Sequence, residues 1–182
     1  DKTVDSIIED CYYEARPEFQ YYSFNLLEIA AYFGSVKIFK YLILNKAGIR
    51  NEQLSKMAIY GGNAEIIRIC KQKDISFKPV RTKNNDDLLN VSYLQIAIKM
   101  NHLDILRWLI EEEKNDINKD DIDIVGYALQ VANFEAYYYL VSVLYDIKNN
   151  TENKKENEEE FKFKFDNVLK CLVYSYNLPI MK

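Results

Sequence analysis

LLEIAAYFGSVKIFKYLI, residues Leu26–Ile43, decides the fold, because its pattern returns three more times along the chain. The other copies are LSKMAIYGGNAEIIRICK (Leu54–Lys71), YLQIAIKMNHLDILRWLI (Tyr93–Ile110) and IVGYALQVANFEAYYYLV (Ile124–Val141). Each reads as a short helix with a small residue near its end, a turn, and a second, amphipathic helix. Aligned without gaps, the copies place Ala30, Ala58, Ala97 and Ala128 in one column. A second column holds Ile38, Ile66, Ile105 and Ala136, and a third Leu42, Cys70, Leu109 and Leu140. One helix pair cannot bury two apolar faces alone, so such a repeat predicts an all-α solenoid of stacked antiparallel helix pairs.

Composition sets the outer bounds. Hydrophobic residues make up 48% of the 182, enough for one extended core. The net charge is −4 and the basic residues are interleaved with acids, which argues against a nucleic-acid surface. Five glycines and three prolines are too few for a strand-and-turn protein, and no apolar run reaches the length of a membrane span. No basic-apolar-small leader opens the chain, so a cytoplasmic location is expected. Asp1 stands where an initiator Met is usual, so the chain reads as an excised segment. Cys11, Cys70 and Cys171 are odd in number and far apart, which reads as reduced thiols, with Cys70 a small hydrophobe in a leucine column.

The helices keep their length while the connections vary. The aligned alanines lie 28 (30 to 58), 39 (58 to 97) and 31 (97 to 128) residues apart. Asp1–Ala15 is expected to be a helix within an N-terminal cap and linker, residues 1–22, that covers the open end of the stack. Four repeats follow over 23–145. A polar flexible loop is expected over 146–164, and a partial fifth repeat or end cap over 165–182, all within one domain. The polar stretch Asp74–Ser92, with Pro79, accounts for the longest spacing.

These columns resemble the ankyrin repeat: an inner helix with the double alanine Ala30–Ala31, a turn at Gly34, and an outer helix closed by Leu42. Asp116–Ile117–Asn118 looks like the Asp-x-Asn that opens the ankyrin connecting finger, and Asp74–Ile75–Ser76 is a weaker copy. The likeness covers about residues 23–145 and is closest to the divergent ankyrin-like repeats abundant in protozoan proteins. Thr-Pro-Leu-His is absent at the start of the inner helix, where Asn25–Leu26–Leu27–Glu28 stands instead, and the 28-residue unit is too short for a full finger. Short or irregular connecting loops are therefore expected.

Catalytic and metal-binding chemistry finds little support in the sequence. His102 is the sole histidine, and its column, Ser35, Asn63, His102 and Asn133, reads as helix N-caps. Asp116, Asn118 and Asp120 have the opening spacing of a calcium loop, but Asp121 and Tyr127 occupy positions that need Gly and Glu. No zinc set, catalytic pair or phosphate loop can be assembled, so neither catalysis nor a cofactor nor a metal is expected.

The resemblance implies that the two residues between the alanine pair and the turn face a concave groove. Here these are Tyr32–Phe33, Tyr60–Gly61, Lys99–Met100 and Gln130–Val131. Three aromatics and a Met are unusual where water is expected, and Tyr suits recognition through its apolar area and polar handle. Tyr32, Tyr60 and Lys99 are the leading contact residues, joined by Phe33, Met100 and Gln130, with Glu28, Lys56 and Gln95 flanking one turn earlier. Phe33 and Met100 belong either to the groove or to the core. Phe39, Tyr41, Trp108 and Tyr139, on outer helices, are assigned to the core. The expected function is a protein–protein interaction module offering a concave helical groove to a protein or peptide, without nucleic-acid or membrane binding. The alternative is a structural or self-associating segment of a longer repeat protein, joined through the repeat ends. A third class, an enzyme or small-molecule binder with Lys78–Asn90 as a lid, has the least support.

Overall fold

A computed structural model describes residues 5–8, 23–78, 92–113 and 122–149. The chain divides into two compact units, Asp1–Asp87 and Leu88–Lys182, each described by itself. Unit 1 holds strands β1 (Ile7–Ile8) and β2 (Phe24–Asn25) and helices α1 (Leu26–Tyr32), α2 (Val36–Leu44), α3 (Asn51–Gly61) and α4 (Ala64–Gln72). Unit 2 holds α5 (Tyr93–Lys99), α6 (Leu103–Glu111), α7 (Ile122–Gln130) and α8 (Phe134–Asn149). In unit 1 α1 packs on α3 and α2 on α4, and in unit 2 α5 packs on α7 and α6 on α8. The expected all-α helix-pair architecture is what each unit displays.

The alignment columns become the core. Ala58, Ala97 and Ala128 are fully buried and Ala30 nearly so, because a methyl group there lets neighbouring inner helices approach closely. On the outer helices Leu42, Cys70, Leu109 and Leu140 are buried. Each inner helix ends in a residue with left-handed backbone: Gly34 (φ 61°), Gly62 (φ 66°), Asn101 (φ 58°) and Ala132 (φ 58°). Glycine occupies that conformation freely and asparagine tolerably, whereas alanine is strained there. Lys46 and Asp74 repeat the device after α2 and α4, both at φ 59°.

Side chains close several helix starts. Asn25 and Glu28 form a reciprocal capping box on α1, and Ser92 and Gln95 form another on α5. Of the column assigned to capping, Asn63 accepts from the backbone N–H groups of Glu65 and Ile66, and Asn133 accepts from Ala136. Asn133 also donates to the carbonyl of Ile98 at 2.9 Å, tying α8 to α5. Ser35 and His102 make no side-chain cap, a correction for Ser35 explained by its backbone: ψ of 75° falls short of the extended geometry that aims a hydroxyl at the first turn.

Three further expectations are corrected. Ile7–Ile8 do not lie in a helix; they pair antiparallel with Phe24–Asn25 in the register Ile7 to Asn25 and Ile8 to Phe24. The rest of residues 1–22 lies outside the described residues, as do Asp116–Asp121, most of Lys78–Asn90, and 150–182 with the expected fifth repeat. The polar loop does not begin at residue 146, since α8 continues to Asn149. Tyr41 is not core: it is exposed, as is Ile38, although their repeat equivalents Ile69 and Ile66 in α4 are buried. The physical reason is position. α4 packs alongside α2, and no helix pair precedes α2 among the described residues.

Candidate partner-binding faces

In unit 1 the ends of α1 and α3 carry an aromatic cluster. Tyr32 and Tyr60 occupy one repeat column, and packing of α1 on α3 sets their ring centroids 5.5 Å apart with a 36° tilt. Gly61 makes this approach possible. A Cβ built on it would stand 2.1 Å from the Ala31 carbonyl oxygen and 2.9 Å from that of Tyr32, so only a hydrogen fits. Phe33 caps α1 and meets the Tyr32 ring edge-on at 5.2 Å and 72°.

Burial separates the three rings. Tyr32 and Tyr60 are each 8% exposed, whereas Phe33 is 49% exposed. Phe33 therefore belongs to the surface, packed on Tyr32, which in turn packs on Tyr60.

Glu28 is the clear correction. Expected at the rim of a contact face, it is fully buried and engaged within the fold. Its carboxylate accepts from the Asn25 backbone N–H at 3.0 Å and from Arg50 Nε at 2.7 Å, and it also pairs with Arg50 Nη2. Arg50 Nη2 further donates to the Ser23 carbonyl, and Asn25 Nδ2 donates to Gly48 O at 3.0 Å. The Gly48 N–H then donates to Asp5 Oδ1 at 2.6 Å. A buried carboxylate requires such company, because desolvating it without a partner would cost several kcal/mol.

The other flanking residues serve structure as well. Lys56 Nζ lies 3.0 Å from Glu52 Oε1, one helical turn away, with little of its side chain exposed. Gln95 is half-buried and accepts from the Ser92 N–H at 2.9 Å in the capping box of α5. In unit 2 Lys99 and Gln130 are exposed and Met100 is half-buried, each at the end of an inner helix as its column requires.

Sequence reading missed a second class of surface. Leu44, at 81% exposure, is the most exposed of the large apolar side chains described, and Ile38 and Tyr41 share its helix. On α8 Phe134, Tyr138 and Tyr145 are exposed too. The signal was present in the columns: Leu44 aligns with Gln72, Glu111 and Ser142, and Tyr138 aligns with Lys40, Arg68 and Arg107. Where other repeats are polar, the pair does not need an apolar residue.

Electrostatics around the outer helices is ordinary for ion pairs. Lys40 Nζ bonds Glu65 Oε1 at 2.6 Å, which holds that carboxyl below its usual range. Tyr139 donates to Glu111 Oε1 at 3.0 Å, with the Arg107 guanidinium 5.3 Å from its ring centroid. Burial, and then the Glu111 carboxylate, push the Tyr139 phenol up to about 12. Burial also pushes the Cys70 thiol up to about 12. Among the described residues no group of three or more His, Cys, Asp or Glu could hold a metal ion, and no helix is long and apolar enough to cross a membrane.

A family model described as ankyrin repeats (3 copies) matches residues 27–123. No curated protein and no solved structure matches the chain.

Proposed function

Because the chain belongs to the ankyrin-repeat family, whose model spans more than half of its 182 residues and whose members are in general protein–protein interaction modules, we propose that it binds a protein or peptide partner through the inner-helix ends, without catalysis. In unit 1 Phe33 is the anchor, supported by Tyr32 and, behind it, Tyr60. In unit 2 Lys99, Gln130 and Met100 are the contact residues. The observation that carries this reading is the half-exposed Phe33 ring held edge-on against buried Tyr32, which itself packs on Tyr60. A rigid aromatic with a packed base gives contact area at small entropic cost, which is what an interface anchor requires. The complementary chemistry in the partner is an apolar or aromatic side chain that covers Phe33.

The test is capture by the intact chain set against Phe33→Asp. Tyr32 and Tyr60 are poor probes because truncating buried rings would also damage packing. Phe33→Asp should melt like the wild type and lose the captured partner. Retention of every captured protein by Phe33→Asp would refute the assignment of the face.

A further inference from the structure

The repeats supply their own reference. The four residues of a column show what a helix pair demands there, and a departure without local gain points to another duty. Such departures concentrate on α2 and α8. At the second position of the outer helix, Glu65, Asp104 and Glu135 favour the helix dipole, whereas α2 places Lys37 there and has no acid in its first turn. Leu44 on α2 and Tyr138 on α8 replace polar or charged equivalents with large apolar side chains that remain exposed.

Each departure sits in a stripe. On α2 it is Ile38, Tyr41 and Leu44. On α8 Phe134, Tyr138 and Tyr145 fall within a sector of roughly 40°, given 3.6 residues per turn. The flanking charges are opposite in sign. Exposed Lys37 and Lys46 bracket the α2 stripe, and exposed Glu135 and Asp146 bracket the α8 stripe. Glu135 and Asp146 stand roughly 16–17 Å apart along the α8 axis, and Lys37 and Lys46 stand at the start of α2 and just past its end. Exposed charge on the neighbouring helices is mixed, with Lys71, Lys73 and Asp74 at the end of α4 and Asp104, Arg107, Glu111 and Glu112 on or just after α6, so the opposition of sign belongs to the residues that bracket the two stripes.

We propose that the α2 face of one copy of this chain docks on the α8 face of a second copy, head to tail. Apolar stripe then covers apolar stripe while Lys37 and Lys46 meet Glu135 and Asp146. A symmetric contact is disfavoured, since α2 on α2 would oppose lysines and α8 on α8 would oppose carboxylates. An anionic lipid surface would suit α2 alone and would repel the acid-flanked α8 stripe. Association with a second copy accounts for both faces at once, and it is independent of the Phe33 face. Since each copy keeps one unused face of each kind, growth continues past the dimer unless the ring closes.

Sedimentation of the intact chain across a concentration series tests this. The average mass should rise above the monomer with concentration, and the association constant should fall about tenfold between roughly 0.05 and 0.5 M salt. Leu44→Gln and Tyr138→Arg install residue types that other repeats carry, so both should fold like the wild type and sediment as monomers. Lys37→Glu/Lys46→Glu and Glu135→Lys/Asp146→Lys should each be monomeric alone and associate when mixed. A wild-type chain that stays monomeric at low salt overturns the proposal. So do charge reversals that leave association unchanged or fail to restore it on mixing, and so does a monomer that co-sediments with vesicles of anionic phospholipid.

Discussion

Gly61→Ala sets two effects of opposite sign against each other, and the structure says which wins. Gly61 is the last residue of α3, where alanine ordinarily gains about 1 kcal/mol of helix propensity. Its Cβ, however, would lie 2.1 Å from the Ala31 carbonyl oxygen. That oxygen is backbone and cannot rotate away, since it already accepts the Gly34 N–H at 3.1 Å. Ordinary contact requires α1 and α3 to separate by about 1 Å, and overpacking of this kind costs about 1–3 kcal/mol, more when the obstacle is backbone. We expect a net destabilisation of about 2 kcal/mol, or about 4–8 °C in the melting midpoint. Urea unfolding followed by circular dichroism measures it. Gly34→Ala is the control: its Cβ would have 3.7 Å of clearance but φ is 61°, so it loses about 1 kcal/mol to backbone strain alone. A Gly61→Ala chain as stable as wild type, or more stable, would show that the inner helices are not in close contact and would refute the reasoning.

Other outcomes follow from the same geometry. Arg50→Met strands the buried Glu28 carboxylate and should cost about 2–3 kcal/mol, less than for a fully buried pair because Arg50 is partly exposed. Adding Glu28→Gln should recover part of this in a double-mutant cycle of urea midpoints, and strict additivity would argue against the pair. Ala132→Gly should stabilise by about 0.5–1 kcal/mol by relieving a φ of 58°, visible as a higher melting midpoint; a fall would mean the turn is not left-handed. Cys70, buried and with its thiol pushed up to about 12, stays protonated at neutral pH; peptide-mapped alkylation should proceed there only after urea is added. Tyr139 is neutral in the fold up to about 12 against an ordinary value of 10.0, so its contribution is full below pH 10 and is lost as pH rises towards 12. Tyr139→Phe should flatten the alkaline limb of the stability profile.

Legibility in the sequence followed periodicity. The columns through Ala58 and Leu109 announced burial because small or branched apolar residues recur only where neighbouring pairs must touch. The same reasoning misplaced Ile38 and Tyr41, since a column records the average repeat and not a repeat with no helix pair before it among the described residues. The spacing of Glu28 fits the inner-helix face and so points to a rim position. Its burial depends on Arg50, 22 residues later, and on the capping box that Asn25-x-x-Glu28 spells out. The left-handed column was visible as Gly34 and Gly62 but disguised by Asn101 and Ala132. The exclusion zone at Gly61 arises from another helix's backbone, which no local pattern encodes.

The connector between α2 and α3 is held without a hairpin finger, by Asp5 and Asn25 gripping the two polar atoms of Gly48 while Arg50 grips Glu28. Five positions drawn from three separate stretches of chain thus behave as a single inherited character. Drift at one strands a donor or acceptor on another, so Asp5, Asn25, Glu28, Gly48 and Arg50 should vary together through descent, whereas exposed positions such as Glu112 can change one residue at a time.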